Sequence, residues 1–312
     1  MDGQGRHVRE VCIVGAGAMG CLFAARMSLA GSNVTLVDVD SRRLETIASM
    51  GLELHDDDGI RLARPLACIA KDVAGPVDIL VLFTKGTHSA AAIRSMAHVA
   101  HRNLSVLTLQ NGIGNAELLA SAFGADRVLM GTAHVPADLS PPNRVSSHGH
   151  LEVHLGPMTP VGFERARATT ALLFAAGFNP VMAANVGAVI WEKLAFNAAL
   201  NALAMVTGST NGAMNNAPAL RIAHAIVDEA TAVAHARGLE LSAQDIKLAV
   251  NRAVADHAAH KASMLQDREA GRTTEIEFIN GAIVRSAENL GIPTPVTATM
   301  ADLVRVIEAA RG

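Results

Sequence analysis

Apolar and polar positions in the first half of the chain alternate between two kinds of segment. Val11-Cys12-Ile13-Val14 is a short continuous apolar run, the pattern of a strand buried on both faces. Met19 to Ala30 then reads as a helix stopped by Gly31, and Val34-Thr35-Leu36-Val37 as a second strand. Ser41 to Met50 predicts another helix, with Gly51 as its C-cap. Leu52–Leu54 and Ile60–Leu62 flank Asp57-Asp58-Gly59, the composition of a hairpin tip. Ile79–Phe83 and Leu104–Leu109 are further buried strands, each preceded by a helical stretch. Such alternation predicts a mostly parallel, doubly wound sheet with helices on both faces. Leu151 to Leu155 alternates apolar and polar side chains, as a half-exposed antiparallel strand does.

After about Val181 the texture changes. Strand-like runs vanish, and long alanine-rich helical segments follow: Val186–Val206, Pro218–Arg237, Ser242–Leu265, Glu275–Leu290 and Pro295–Ala310. Short breaks with Gly, Pro or Asn separate them. The expected organisation is an α/β domain over residues 1–183 and an all-α domain over residues 184–312. A length of 312 residues, at about 150 per domain, also suggests two.

Composition narrows the function classes. Half the residues are hydrophobic and 18% are charged, which argues against disorder. The chain has no Tyr, so Tyr-dependent chemistry is excluded. A net charge of −3 gives no reason to expect a nucleic-acid partner. Cys12, Cys21 and Cys68 are odd in number and lack CxxC spacing, so neither a disulfide framework nor a zinc site is expected. The polar first ten residues do not read as a secretory signal, and no apolar run approaches the roughly 18 residues that span a bilayer. The expectation is a soluble cytoplasmic protein with no membrane partner.

The strongest local signal is Gly15-Ala16-Gly17-Ala18-Met19-Gly20. A lone GxGxxG is weak, but here it follows a strand and opens a helix. Gly15 permits the tight turn, Gly17 lets the backbone approach a pyrophosphate, and Gly20 allows close helix–strand packing. The helix N-terminus offers unpaired N–H donors to the anion. A packing turn without ligand is the alternative. Asp38 ends the second strand, where a carboxylate accepts hydrogen bonds from the adenine ribose hydroxyls and repels a 2′-phosphate, favouring NAD(H). Arg42 and Arg43 follow at once; the pair could bind that phosphate or simply solvate the helix beginning at Ser41.

Lys85 lies just past the strand Ile79–Phe83, and Asn111 just past Leu104–Leu109, at the strand ends where ligands collect in such a sheet. An Asn-Gly pair is also an ordinary turn. Lys193, Asn197 and Asn201 recur at i, i+4 and i+8 and form one polar stripe on an otherwise apolar helix. Buried Asn and Lys need partners, supplied either by a ligand or by an interhelical network. Thr274 with Glu277 fits a capping box that puts Glu275 in the first turn of a helix, where the dipole stabilises a carboxylate. His148, His150 and His154 near one strand, and His257 with His260, lack a metal-ligand pattern and read as surface histidines.

Taken together, these blocks resemble the ketopantoate reductase (2-dehydropantoate 2-reductase) family over nearly the whole chain. The resemblance rests on GAGAMG, Thr84-Lys85, Gln110-Asn111-Gly112-Ile113-Gly114 and Trp191-Glu192-Lys193-Leu194 with its spaced asparagines. Asn211-Gly212, Ser263-Met264-Leu265-Gln266-Asp267 and Thr274-Glu275-Ile276 complete it. It implies a Rossmann-type domain followed by a helical one, and reduction of 2-dehydropantoate to (R)-pantoate by NAD(P)H in pantothenate and coenzyme A biosynthesis. It further implies Lys193 as the catalytic acid and Glu275 as the carboxylate that binds the substrate hydroxyl, places Lys193 and also contacts the cofactor. Ser263 would bind the substrate carboxylate. Asn197, Asn201 and Asn211 would line the pocket, with Asn111 and Lys85 near the cofactor ribose and the reacting centre. The glycine turn, residues 15–20, would hold the cofactor, and no metal is required.

Two departures stand out. Members using NADPH usually carry an arginine just after the second strand, where this chain has Asp38-Val39. His260 stands where the family often has Asn. They keep open an NAD-dependent paralogue acting on another branched 2-oxo or 2-hydroxy acid. A non-catalytic dinucleotide sensor is a rival of another class. The alanine-rich helical domain could also pack on a second copy to give a homodimer.

Overall fold

The computed structural model describes residues 9–310. Its strands are β1 (Glu10–Val14), β2 (Asn33–Val37), β3 (Leu52–Asp56), β4 (Gly59–Ala63), β5 (Leu66–Cys68), β6 (Ile79–Leu82), β7 (Ser105–Thr108), β8 (Val128–His134), β9 (Asp138–Ser140), β10 (Arg144–Ser147), β11 (Glu152–Pro157) and β12 (Asn179–Met182). The α-helices are α1 (Ala18–Leu29), α2 (Ser41–Met50), α3 (Gly86–Ser95), α4 (Asn115–Phe123), α5 (Phe163–Ala175), α6 (Val186–Thr207), α7 (Ala217–Ala236), α8 (Ala243–Asp256), α9 (Ser263–Glu269), α10 (Asn280–Glu288) and α11 (Pro295–Ala309).

Two compact units emerge. One comprises the described residues up to Gln110 together with Asn115–Val186, and the other Asn111–Gly114 together with the described residues from Gly187 on. The first is α/β. Its eight-stranded sheet runs β12-β11-β8-β7-β6-β1-β2-β5, parallel throughout except where β11 meets β8. Strand β1 shows why helices cover both faces. Val11 and Ile13 join one apolar cluster with α1 and α5, while Cys12 and Val14 join a second with α3 and α4. That is the doubly wound arrangement expected from alternation. Strand β11 is antiparallel to β8, and Val153 and Leu155 are buried on either side of half-exposed His154.

A second sheet, β4-β3-β10-β9, was not legible as such. The hairpin around Asp57-Asp58 forms its β3–β4 half, and β10 pairs in parallel with β3. Buried Asp56 joins this sheet to α1 through Arg26, 2.7 Å away, and also pairs with Arg61.

The second unit is helical, with one apolar core drawn from α6 to α11. Helix α6 is long and apolar enough, by length and composition, to cross a membrane, which corrects the expectation that no such run exists. Most of that stretch is buried inside the protein, with Leu194, Ala195, Ala198, Ala199 and Ala202 in the core. Two further helical expectations fail. Ser242–Leu265 is two helices, α8 and α9, with residues 257–262 between them. Glu275–Leu290 begins as a 3₁₀ turn at Ile276–Phe278, and the α-helix starts only at Asn280.

Candidate functional site

The glycine turn has the geometry its sequence demands. Gly15 sits at φ +108°, and a Cβ there would stand 2.7 Å from the Thr84 nitrogen. A Cβ on Gly20 would overlap the Gly15 carbonyl oxygen, so helix α1 packs against the turn only because no side chain intervenes. Gly17 is exposed and has no atom within 4 Å of its Cβ position, and no side chain caps the helix it precedes. Open space before uncapped first-turn N–H groups is a cradle that fits a dinucleotide pyrophosphate. Ala18 and Met19 begin α1, partly exposed, while Ala16 is fully buried.

Asp38 follows β2 and turns its carboxylate to the same loop. One oxygen accepts the Ala16 N–H at 2.5 Å, and the other accepts the N–H groups of Val39 (2.8 Å) and Asp40 (3.0 Å). Lys85 is half-buried at the N-cap of α3. Gln110, given no role of its own by the sequence, organises this end of the sheet. Its amide donates to the Thr84 carbonyl (2.5 Å) and the Ser89 hydroxyl (2.9 Å), and its oxygen accepts from Thr108 (2.9 Å). Ser89 in turn donates to Asn115 at 2.8 Å. The only advance sign was its place in Gln-Asn-Gly, since Thr84 and Ser89 lie more than twenty residues away in sequence.

In the second unit, Lys193, Asn197 and Asn201 all lie on α6, as their spacing predicts. Burial pulls the Lys193 ammonium down from 10.5 to about 8, and the charge of Glu275 opposes that fall. The residue as a whole is half-buried. Asn201 is buried and donates to the Ser263 hydroxyl at 3.1 Å, while Ser263 itself, opening α9, is exposed. Lys193, Glu275, Asn201 and Ser263 thus form two linked pairs around α6.

The expected capping box is absent. The Thr274 hydroxyl accepts from the N–H of Ile276 at 3.3 Å, and the Glu277 carboxylate is taken by Arg285 and Arg305. Glu275 instead occupies the cap position of the 3₁₀ turn, half-buried. Asn280, fully buried and unremarked in the sequence, donates to the Ala198 carbonyl at 3.1 Å and so ties this segment to α6. The Asn111 loop packs here as well. Ile113 donates to the Phe278 carbonyl at 3.0 Å, and Gly112, at φ +86°, lies too close to Phe278 for any Cβ. Asn211 is buried, and its amide donates to the Ala253 carbonyl (3.2 Å) at the far end of α8.

The remaining reactive groups have other surroundings. All three cysteines are free thiols, and burial pushes Cys12 and Cys21 up to about 12. His148 bonds to Asp57 at 2.9 Å and His154 to Glu152 at 2.6 Å. Among the described residues, no group of three or more His, Cys, Asp or Glu could hold a metal ion.

Comparison with known proteins finds likeness over almost the whole chain. The family described as Ketopantoate reductase PanE/ApbA matches residues 11–160, and that described as Ketopantoate reductase PanE/ApbA C terminal matches residues 185–308. The 2-dehydropantoate 2-reductase of Halobacterium salinarum is 31% identical over 301 residues, covering 96% of this chain and 99% of that protein. A solved PanE/ApbA family ketopantoate reductase from Ralstonia eutropha JMP134 is 30% identical with TM-score 0.89, covering 97% of this chain and 99% of that one. D-mandelate dehydrogenase, solved with NADH and anilino(oxo)acetate, is 25% identical with TM-score 0.92 and covers 97% and 99% of the two chains.

Proposed function

Because the chain belongs to the ketopantoate reductase family, we propose that it reduces the ketone of 2-dehydropantoate to (R)-pantoate with NADH, a step toward pantothenate and coenzyme A. The observation that carries this reading is Lys193 on α6, a buried amine whose charge is met by that of Glu275. Its ammonium hydrogen-bonds the 2-oxo oxygen and gives up a proton as negative charge develops there. The bound dinucleotide supplies the hydride.

The chain's own residues divide the remaining work. Gly15, Gly17 and Gly20 let the backbone approach the pyrophosphate, whose charge meets the first-turn N–H groups of α1. Glu275 holds the charge of Lys193 and accepts the substrate hydroxyl. Ser263, backed by Asn201, donates to the substrate carboxylate, and Asn197, one turn along α6 from Lys193, helps line the pocket. Asn111 and Lys85 serve the ribose and the reacting end. Asn211 lines the pocket, its amide nitrogen held by the Ala253 carbonyl. Asp38, at the end of β2, favours NADH, because a carboxylate near the adenine ribose repels a 2′-phosphate.

A second reading has its own support. The likeness to D-mandelate dehydrogenase bound to NADH, together with Asp38, favours an NAD-dependent enzyme for another 2-oxo or 2-hydroxy acid with a branched or bulky side chain. Loss of nicotinamide absorbance with 2-dehydropantoate and with phenylglyoxylate separates the two. Faster turnover of phenylglyoxylate would transfer the assignment to the second reading.

A further inference from the structure

Arg43 lies in the first turn of α2, where its own N–H donates to the Asp40 carboxylate at 3.1 Å. Its guanidinium reaches back to the glycine turn and donates to the Ala16 carbonyl at 2.7 Å. The other partner of that carbonyl is the weak thiol donor of Cys21, at 3.4 Å. The N–H of the same residue donates to Asp38. Both polar ends of one fully buried residue, the second of the glycine turn, are therefore gripped by ionised side chains. Hydrogen bonds with one charged partner are the stronger kind. An unpaired buried carbonyl would let the peptide rotate toward other donors, and the exposed Gly17 that follows would move with it.

We propose that Arg43 is a cofactor-positioning residue, which fixes the pyrophosphate-binding turn by holding the Ala16 carbonyl and does not itself bind a ribose phosphate. This rests on the reading of the turn as a dinucleotide site. The pyrophosphate is common to NADH and NADPH, so a defect in the turn weakens both by the same factor. A residue that contacted the 2′-phosphate would weaken NADPH alone. Asp38 and Arg43 thus share the turn, through the Ala16 N–H and carbonyl, but only Asp38 also sets the ratio between the two cofactors.

The test is titration of nicotinamide fluorescence with NADH and with NADPH, for wild type, Arg43→Ala and Arg43→Lys, with the thermal midpoint of each protein measured alongside. Arg43→Ala is expected to raise both dissociation constants about tenfold, the loss of one charge-assisted hydrogen bond, and to leave their ratio unchanged. Arg43→Lys, which keeps a charged donor, is expected to recover much of the loss. KM for the dinucleotide should rise in step while kcat changes little. Should Arg43→Ala not fold, Arg43→Gln replaces it, with the same expectation. Unchanged dissociation constants, a loss confined to NADPH, or no recovery in Arg43→Lys at equal thermal stability would each overturn the proposal. A wild-type protein that binds neither dinucleotide would overturn the underlying reading as well.

Discussion

Glu275→Gln leaves Lys193 with the full effect of burial and removes the charge that opposes it, so the ammonium should titrate below its present value of about 8. A proton donor acts only in its acid form. In the wild type, kcat/KM for ketone reduction is expected to be level up to about pH 8 and then to fall about tenfold per unit. In Glu275→Gln that descending limb should move to lower pH, in addition to any loss of rate at the plateau. Lys193→Ala should lose about 10²- to 10⁴-fold and the limb altogether. Folding stability gives an independent reading of the same group. The folded pKa lies below the unfolded value of 10.5, so between pH 8 and 10.5 the unfolded chain binds more protons and stability rises with pH. Below pH 8 the buried ammonium costs about 3 kcal/mol, the free-energy equivalent of a fall from 10.5 to about 8. Urea unfolding of wild type and Lys193→Met between pH 7 and 10.5 isolates this term, because only the wild type should gain stability through it. Parallel pH profiles for the two proteins, or a limb that stays in place in Glu275→Gln, would refute the assignment.

Three other outcomes follow from the geometry. Asp38→Ala should raise kcat/KM with NADPH relative to NADH, and an unchanged ratio would count against a carboxylate at the ribose. Gly20→Ala places a methyl group on the Gly15 carbonyl oxygen, so dinucleotide binding measured by fluorescence should be lost or the thermal midpoint should drop sharply. Asp56→Ala strands the buried Arg26 guanidinium and should cost about 3 to 5 kcal/mol in urea unfolding, without altering cofactor affinity in the protein that remains folded.

Much of the first unit was legible because its signals are local. The Val11–Val14 run, the glycine turn and the Ser41–Met50 helix with Gly51 behind it each lie within a few residues of the feature that ends them. The β4-β3-β10-β9 sheet was not, since β10 finds its partner β3 across a long stretch of chain and shows no marked alternation. In the second unit, the stripe of Lys193, Asn197 and Asn201 could be read from helical spacing alone. The start of the Glu275 segment could not. Glu277 satisfies the capping-box pattern on paper, but Arg285 and Arg305, from two other helices, take its carboxylate. The break between α8 and α9 lies in Ala-Ala-His-Lys-Ala, with no Gly or Pro to announce it. Gln110 and Asn280 escaped notice because each holds a backbone carbonyl, of Thr84 and of Ala198, that only the fold brings near.

The central claim is that this chain reduces a 2-oxo acid, with Lys193 as the proton donor. Its most direct test is the loss of nicotinamide absorbance with 2-dehydropantoate, run with NADH and NADPH in parallel on wild type and Lys193→Ala. The expected result is rapid turnover in the wild type, faster with NADH, and a loss of at least about a hundredfold in the variant. Equal rates in the two proteins, or no turnover with either cofactor while both still bind, would contradict it.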